Sequence, residues 1–267
     1  FLDSLEPAEV CALTRYLSQE ADSLRWGSSC SGTESPGWVF RDLWIELQRR
    51  APDQTLCPLM PVVCAEASID KCNFIRKACP AQAEQMYLDM KDLLRRRAYC
   101  LKRGGRRVPD ISNLHFFLAG FSCKSVSGLA CSKEGAGQCL ISDGNAADFQ
   151  TADTFSATVR IIKLHKPKLI ALENVLGLRQ QGQHLLCMQR LRKAGYAMSL
   201  WEVHTIRLGL PQDRKRLWFF GIHEDVLKAF NCSKDQWLKM AEHIMSRIMK
   251  YKQHQVAKLD SFLLGED

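Results

Sequence analysis

A cysteine and a glutamate, each placed after an apolar run, are the residues of this sequence best suited to chemistry. Cys123 ends the sequence Ala-Gly-Phe-Ser-Cys, directly after the run 114–118, which is typical of a buried strand. Glu173 follows a second such run, 168–172. A thiolate can attack an electrophilic carbon while a neighbouring carboxyl group donates a proton. The alternative for Cys123 is a buried structural cysteine, which is the commoner fate of a cysteine.

A glutamine and two arginines form a second group of candidates. Gln212, Arg214 and Arg216 alternate along the chain, directly before the apolar run 217–221. Side chains that alternate along an extended segment point to the same face, so we expect all three on one side. Guanidinium groups placed there could hold a carbonyl oxygen and polarise the molecule that carries it.

The first part of the chain carries the pattern of a nucleotide-binding βαβ unit. A strand at 24–29 runs into a loop of small residues, 30–37, that leads to a helix. Such a loop lets backbone N–H groups approach a ligand, although it also serves any tight turn. Glu66 ends the second predicted strand, where an acid can accept hydrogen bonds from a ribose. A surface glutamate opening the helix 68–79 is the equal alternative, and Asp110 is a third acidic position.

The charge balance of the chain is compatible with a polyanionic partner. The 267 residues include 37 basic and 29 acidic side chains, for a net charge of +8. Seven of the positive charges fall in the segment 95–107, at the end of a helix that the sequence predicts over 82–101. These charges could contact phosphates. The alternative is a solvated helix end, which is what a charge run usually is.

The twelve cysteines argue against a metal or disulfide framework. None of them forms a C-x-x-C pair, as a zinc ribbon would require. The spacing of Cys57, Cys64, Cys72 and Cys79 leaves a weak alternative of a metal site, but we expect reduced thiols and no metal in an intracellular protein. No apolar run approaches the roughly 20 residues of a membrane span. The chain begins with Phe1, so we expect a piece of a longer protein.

The order of these motifs along the chain is more specific for a protein family than any single motif. After the small-residue loop and the acid of the second strand come Pro-Asp-Ile at 109–111 and Gly-Phe-Ser-Cys at 120–123. Glu-Asn-Val at 173–175 and Gln-x-Arg-x-Arg at 212–216 follow. In this order they resemble the motifs of the cytosine carbon-5 methyltransferases, which use S-adenosylmethionine. The resemblance covers about residues 24–223.

The resemblance implies an α/β fold, the Rossmann-like sandwich of class I methyltransferases. We therefore expect a mixed, mostly parallel sheet of about seven strands with helices on both faces. The catalytic domain would span residues 1–223 and begin with a helix at 5–21. Residues 224–267 would form a helical C-terminal extension, in which Ser233 and Gln236 fit a capping box.

The same resemblance assigns catalytic roles. Cys123 would add to carbon 6 of a flipped cytosine, while Glu173 would act on N3 and the exocyclic amine. Arg216, together with Arg214, would hold the cytosine O2. The substrate contacts would come from Ser122, Asn174 and Gln212.

The cofactor contacts are implied in the same way. S-adenosylmethionine would lie over the loop 30–35, near Gly32. Glu66 would take its ribose hydroxyls and Asp110 its adenine amine. The full set of implied cofactor residues is Cys30, Ser31, Gly32, Glu66, Asp110 and Ile111.

Four substitutions depart from the family pattern. Glu34 replaces the second glycine of the first loop, and Cys30 replaces its aromatic residue. Ser122 stands in place of the proline before the nucleophile, and Lys124 in place of the glutamine after it. These changes leave open a catalytically degenerate domain that binds without turnover.

The leading interpretation is a DNA (cytosine-5-)-methyltransferase acting through a covalent Cys123 adduct. An RNA cytosine carbon-5 methyltransferase, such as one acting on tRNA, is the alternative with the same chemistry. The family's target-recognition domain is not recognisable after the Arg216 strand, so a partner or another domain would supply it. We expect no membrane contact and a nuclear location, or a cytoplasmic one for a prokaryotic or tRNA-acting enzyme.

Overall fold

The centre of the structure, a computed structural model, is a seven-stranded sheet with a two-stranded ribbon beside it. The described residues are 6–19, 23–32, 34–79, 82–123, 150–208 and 212–251. Within them, the strands are β1 (Leu24–Ser29), β2 (Leu59–Ala65), β3 (Gln85–Tyr87), β4 (Ala98–Tyr99), β5 (Arg106–Arg107), β6 (Phe116–Ala119), β7 (Leu169–Val175), β8 (Tyr196–His204) and β9 (Lys215–His223).

The strand order of the sheet is β3-β2-β1-β6-β7-β9-β8, and β4 pairs with β5 in the ribbon. β1, β2, β3, β6 and β7 run parallel, and β9 runs antiparallel to both of its neighbours. The carboxyl ends of the parallel strands therefore share one edge of the sheet with the amino end of β9. Open α/β sheets bind their ligands at this edge.

Helices cover both faces of the sheet. In the described residues they are α1 (Pro7–Gln19), α2 (Ser35–Arg50), α3 (Ile69–Ala78), α4 (Gln150–His165), α5 (Gln183–Lys193), α6 (Glu224–Ala229) and α7 (Lys234–Tyr251). Apolar side chains of α2 and α3 pack on one face, and those of α4 and α5 pack on the other in the largest apolar cluster. The predicted α/β sandwich with a mostly parallel sheet is confirmed.

The helix predicted over 82–101 is wrong. This segment forms β3, a short 3-10 helix (Met90–Leu94) and β4. β3 pairs in parallel with the end of β2, and Met86 and Tyr87 become fully buried there. Burial of a short apolar segment against the edge of a sheet outweighs its local preference for a helix, because propensity differences are small.

The capping box predicted before the last helix is confirmed. The Ser233 N–H donates to Gln236 Oε1 at 2.7 Å, and the Gln236 N–H donates to Ser233 Oγ at 3.1 Å. α7 then packs against the sheet, where Trp237 lies against the cluster around Ile222. Arg247 of the same helix pairs with Glu9 of α1 at 2.8 Å. The C-terminal helices are therefore packed on the sheet.

The cysteines of the second strand and the following helix are part of an apolar cluster. Cys64, Cys72 and Cys79 are buried together with Ile75 and Met86. In the part of the chain that the structure describes, no group of three or more His, Cys, Asp or Glu side chains could hold a metal ion. None of the described helices is long and apolar enough to cross a membrane.

Candidate active site

A carboxylate and two guanidinium groups meet at the carboxyl edge of the sheet, where β7 and β9 lie side by side. Glu173 lies opposite Trp218, and Val175 lies opposite Arg216. Because these positions alternate along each strand, Glu173 and Arg216 project to the same face. Arg216 Nε donates to Glu173 Oε1 at 2.6 Å, and Arg214 lies 3.6 Å from the same oxygen. The structure therefore brings together three of the four predicted catalytic residues by direct contact.

The Glu173–Arg216 pair is sheltered from solvent, with each side chain 23% exposed. A charge-assisted hydrogen bond in such a place is stronger than a pair in open water. The other carboxylate oxygen, Glu173 Oε2, faces Gly120, since a Cβ built on that glycine would lie 3.4 Å away. The end of β6 and the carboxylate of β7 thus approach closely, directly before the segment that carries Cys123.

Asn174 lies on the other face of β7 and is not positioned for the substrate contact expected of it. It alternates with the glutamate before it and is 1% exposed. Its Nδ2 atom donates to the Phe121 carbonyl at 2.9 Å and lies 3.5 Å from the Ser122 carbonyl. The Ser122 N–H donates to Thr154 Oγ1 at 3.0 Å. These contacts hold the backbone of the loop that leads to Cys123.

Cys123 lies directly after this anchored loop and packs, partly buried, against the main apolar core. Ser122 beside it lines the adjacent cavity. The lysine that follows, and the long glycine- and serine-rich segment after it, lie outside the described residues. Gln212 has an exposed side chain, while its backbone carbonyl accepts a hydrogen bond from the Thr205 hydroxyl. The substrate contact expected of the Gln212 side chain stays a prediction.

The loop after β1 is tied to the end of β2 by Glu66. One carboxylate oxygen accepts the Gly32 N–H at 2.7 Å, and the other accepts the Ser68 N–H at 2.9 Å. Gly32 has a φ of 59°, a left-handed conformation that glycine adopts without strain. The acid predicted at the second strand end thus lies beside the predicted cofactor loop. Each of its oxygens keeps a lone pair for a further donor.

Cys30, in the same loop, carries a half-buried thiol. Its sulfur lies 3.9 Å from the sulfur of Met90. Burial, with smaller contributions from the Glu66 and Asp89 carboxylates, raises the pKa of Cys30 to about 11. The group therefore stays a neutral thiol near neutral pH and is a poor nucleophile. Among the described residues near this edge, Cys123 is the other cysteine and stays the candidate nucleophile.

Glu34, which replaces a family glycine, is fully buried beneath the loop. Ser28 Oγ donates to its two carboxylate oxygens at 2.8 and 3.0 Å, and Ser28 Oγ lies 2.6 Å from Ser31 Oγ. Burial raises the pKa of Glu34 to about 7, while the hydrogen bonds from Ser28 and Ser31 oppose the shift. The side chain points under the loop, so the substitution does not fill the cavities above it.

Asp110 and Ile111, which the sequence suggested as cofactor contacts, line neither of the cavities at the carboxyl edge. Asp110 pairs with Arg25 at 2.7 Å, at the amino end of β1, and Ile111 is 1% exposed in the main core. The acid at the carboxyl edge is Asp89, two residues after β3. Its sequence signal, Gln-Met-Tyr-Leu-Asp, is a short apolar run that ends in an acid. Because the sequence predicts a helix over the same residues, it does not identify Asp89 as an acid at a strand end.

Two cavities meet at this edge and share Cys30 and Gly120 in their linings. One, of about 720 Å³, lies over the ends of β1, β2 and β3 and is lined by Glu66 and Asp89. The other, of about 350 Å³, lies between the start of α2 and the ends of β6, β7 and β9. Its lining includes Glu173 with the two arginines described above. The two adjoining cavities together are the groove at the carboxyl edge; Glu66, Asp89, Glu173 and the two arginines line it, and Cys123 is in neither lining.

A third groove, of about 740 Å³, lies against α2 and is lined by Trp26, Phe40 and Trp44. It is as large as the acidic cavity. Its lining contains no carboxylate and no thiol, however, and does not include the strand ends. The groove against α2 and the acidic cavity are similar in volume, but only the cavity at the carboxyl edge is lined by carboxylates and is therefore the candidate site.

The acidic cavity suits an adenosine-containing cofactor that carries a positive charge. Glu66 offers acceptor lone pairs to a pair of ribose hydroxyls. Asp89 Oδ1 accepts the Lys91 N–H at 2.9 Å, and a carboxylate has further acceptor sites for an exocyclic amine. Leu88 and Met90 add apolar surface for a base. Two carboxylates in one wall also favour a sulfonium group by electrostatic attraction.

Comparison with protein families gives a match over the second part of the chain. The profile of the family described as C-5 cytosine-specific DNA methylase matches residues 102–265. This span is more than half of the 267 residues. It contains Cys123, Glu173 and both arginines of the candidate site.

Bacterial relatives align with a shorter stretch. The chain is 30% identical over 118 residues to the type II methyltransferase M.BanI of Aneurinibacillus aneurinilyticus, which covers 43% of this chain and 25% of that protein. It is 28% identical over 120 residues to the type II methyltransferase M.BsuFI of Bacillus subtilis, covering 44% and 26%. The alignment thus spans about a quarter of the length of these relatives.

A solved structure with the same fold is the S. pombe Dnmt2 methyltransferase. It superimposes with a TM-score of 0.52 at 13% sequence identity. The match covers 91% of this chain and 62% of that one. At this identity the likeness establishes the fold alone.

Proposed function

This chain belongs to the C-5 cytosine-specific DNA methylase family, and from that membership we propose that it methylates carbon 5 of cytosine in DNA, with S-adenosylmethionine as the methyl donor. The observation that carries the proposal is the Glu173–Arg216 pair, held at 2.6 Å beside Gly120 and the Cys123 loop. A proton donor, guanidinium groups and a thiol are what addition to a cytosine ring requires.

Cys123 is the proposed nucleophile. Carbon 5 of cytosine reacts poorly until a group adds to carbon 6, so the Cys123 thiolate forms a bond to carbon 6 and the ring electrons move toward carbon 5. S-adenosylmethionine supplies the electrophilic methyl group that carbon 5 takes up. A water molecule then takes the proton from carbon 5, the electrons of that bond restore the double bond between carbons 5 and 6, and the sulfur–carbon bond breaks to release the Cys123 thiolate.

Glu173 and the arginines stabilise the charge that addition creates. Electron density moves onto N3 and O2 of the ring when the thiolate adds. The Glu173 carboxylate accepts hydrogen bonds from the exocyclic amine and from N3 once that nitrogen carries a proton, which selects cytosine. Arg216, with Arg214 behind it, hydrogen-bonds O2. The sheltered position of the pair strengthens both interactions, because less water competes for the charges.

The groove at the carboxyl edge is the proposed place for both ligands. The loop Cys30–Gly32, Glu66 and Asp89 would hold the cofactor, with Asp89 in the role that the sequence suggested for Asp110. Cytosine stacked in a duplex cannot reach a groove of this kind, so the nucleotide is flipped out of the helix. DNA is the proposed substrate because the matching family is described as DNA methylase. Such an enzyme works in the nucleus of a eukaryote or in the cytoplasm of a prokaryote.

Trapping the covalent adduct tests the proposal. The chain is incubated with tritiated S-adenosylmethionine and duplex DNA containing 5-fluorocytosine, in parallel with tRNA containing the same base. Fluorine cannot leave carbon 5 as a proton does, so the adduct accumulates. We expect a labelled protein–DNA species that survives denaturing electrophoresis and disappears in Cys123→Ala.

A second cysteine provides the control. Cys232 is also partly exposed but lies between α6 and α7, outside the groove, so Cys232→Ala should form as much adduct as the wild type. An adduct with tRNA and none with DNA would replace DNA by RNA in the proposal. Measurable cofactor binding with no adduct on either polymer would identify a degenerate binding domain and overturn it.

A further inference from the structure

The β4–β5 ribbon covers one edge of the sheet and projects arginines into solvent. Its backbone attaches to the outer side of β3, since the Leu101 N–H donates to the Met86 carbonyl at 2.8 Å. In the ribbon, Tyr99 pairs with Arg106 and Ala98 pairs with Arg107. Residues directly opposite each other in an antiparallel pair share a face. Ala98 is buried, so Tyr99 and Arg106 face outward.

Four of the six arginines in and next to the ribbon have no acidic partner. Arg95 pairs with Asp92 at 2.9 Å, and Arg103 pairs with Glu84 at 3.2 Å. Among the described residues, the other four form no ion pair and are exposed; they are Arg96, Arg97, Arg106 and Arg107. Like charges placed this close repel one another and destabilise the free protein. An anionic partner would relieve this repulsion, because no acidic side chain neutralises these arginines.

The outward face combines these cations with an aromatic ring. Tyr99 is 59% exposed. Arg106 lies directly across from it in the ribbon, and Arg97 comes immediately before β4. The Arg106 guanidinium group donates to the Arg97 carbonyl at 3.5 Å, so the two arginines lie next to each other. An exposed ring with exposed guanidinium groups nearby in the ribbon offers both stacking and phosphate contacts.

We propose that the outward face of the β4–β5 ribbon binds the sugar-phosphate backbone of the nucleic acid substrate. The inference rests on the proposed function, because it names a contact surface for that substrate class. The unpaired cations beside Tyr99 are arginines, whose planar guanidinium groups contact phosphate through two N–H groups at once. Tyr99 stacks on a sugar or an unpaired base. A two-stranded ribbon also has dimensions that fit along a nucleic acid groove.

The position of the ribbon makes it an accessory to the catalytic groove. β3 and β7 are four strands apart in the sheet, which is about 19 Å at the usual strand spacing. No residue of the ribbon lines either cavity at the carboxyl edge, so we expect it to contact neither the flipped base nor the cofactor. Its contribution is to affinity and to the salt dependence of binding, while the rate of methyl transfer on bound substrate is set in the groove.

Binding of a fluorescent 30-base-pair duplex, measured by anisotropy over a series of salt concentrations, tests this proposal. The test variant carries Arg97→Gln and Arg106→Gln. The matched control carries Arg95→Gln and Arg103→Gln, which removes two arginines that acids already neutralise. Each phosphate contact contributes about 0.9 to the slope of log affinity against log salt, so the test variant should lose about 2 from that slope. The control should lose less than about half as much.

A second pair of exposed arginines gives a control for the face of the ribbon. Arg96→Gln with Arg107→Gln removes the same charge, but Arg107 lies opposite the buried Ala98, so this variant should lose less of the slope than the test variant. The far-UV circular dichroism of every variant should match the wild type, which excludes a folding defect. Equal slopes in the test variant and the wild type would overturn the proposal. Equal losses in the test variant and the control would also overturn it, because the effect would then be one of net charge.

Two further measurements identify the class of partner and separate this inference from the proposed function. Polyglutamate that displaces the duplex at equal charge concentration would point to an acidic protein and overturn the nucleic acid assignment. Cys123→Ala should retain the arginine-dependent slope, because the ribbon is remote from the thiol. Loss of the covalent adduct with a retained slope would therefore defeat the proposed catalysis and leave the ribbon as a nucleic acid contact.

Discussion

Asn174 Nδ2 donates a hydrogen bond of 2.9 Å to the carbonyl oxygen of Phe121 and so links the end of β7 to the loop that carries the proposed nucleophile. The preceding residue, Glu173, points to the opposite face and into the catalytic groove. Two consecutive residues of one strand therefore have separate tasks. One presents a carboxylate to the substrate, and the other fixes the position of the thiol.

We expect Asn174→Ala to lower both stability and the rate of adduct formation. The buried carbonyl of Phe121 loses its donor, which costs about 1–3 kcal/mol of unfolding free energy. A misplaced thiol should slow trapping about tenfold or more. Urea denaturation and single-turnover trapping with 5-fluorocytosine DNA measure the two effects.

Thr154→Val loosens the same loop at Ser122, so the double variant should lose less stability than the two single losses added together. Simple additivity would contradict a shared anchoring role.

Arg216→Gln should reduce the rate of methyl transfer by about 100-fold or more, since it removes the donor that holds Glu173 and the cytosine O2. Arg214 lies 3.6 Å from Glu173 and is half-exposed, so Arg214→Gln should cost about tenfold or less. Single-turnover rates at saturating cofactor give the comparison. Equal losses would show that the two arginines share the role, against the geometry. Cofactor affinity, measured by calorimetry, should not change in either variant.

Asp89→Asn should weaken binding of S-adenosylmethionine about tenfold, because the carboxylate lines the acidic cavity and faces a positively charged ligand. Asp110→Asn is the matched substitution at the other end of the sheet, where it breaks a partly exposed pair with Arg25. It should leave cofactor affinity unchanged and cost at most about 1 kcal/mol of stability. The reverse result in calorimetry would restore the role that the sequence suggested for Asp110.

Glu34 should make stability fall as the pH rises toward neutrality. Its pKa is about 7 in the folded chain against an ordinary value of 4.5, so the folded state favours the protonated form. The stabilising contribution is complete below pH 4.5 and is lost as the pH rises through about 7. Between pH 5 and pH 8 the loss should be about 2–3 kcal/mol, as an order of magnitude.

Glu34→Gln keeps the shape and the acceptor oxygen for Ser28 but cannot ionise. The unfolding free energies measured at pH 5 and pH 8 should therefore differ less in the variant than in the wild type. The wild type should be the less stable of the two at pH 8, where its buried carboxylate is charged. A pH dependence that is the same in both proteins would show that other groups account for it.

Local patterns were enough to predict most of the sheet and the catalytic edge. Short apolar runs predicted β1, β2, β6, β7 and β9, because a buried strand needs little more than a short apolar segment with a stop at each end. Alternation along β9 placed Arg214 and Arg216 on one face, and both reach Glu173 in the structure. The capping box of α7 was equally local and equally predictable.

Local sequence patterns did not predict the edge strand β3 or the short ribbon that follows it. β3 has three residues, and its pairing with β2, not its own sequence, makes it a strand. The ribbon after it depends in turn on β3, because its backbone bonds to Met86. A stretch of charged and helix-favouring residues therefore predicted a helix where tertiary pairing produces two strand segments and a turn.

The sequence by itself determined the fold class, the family and the thiol, carboxylate and guanidinium groups of the candidate site, since residue types, order and local periodicity carry these. Only the tertiary structure decided which acid faces the cofactor groove and which residue anchors the nucleophile loop. Asp89 and Asp110 both lie near strands, but the direction of each strand end sets the edge that each acid reaches. Glu173 and Asn174 are adjacent, but the helices packed on each face decide which side is buried.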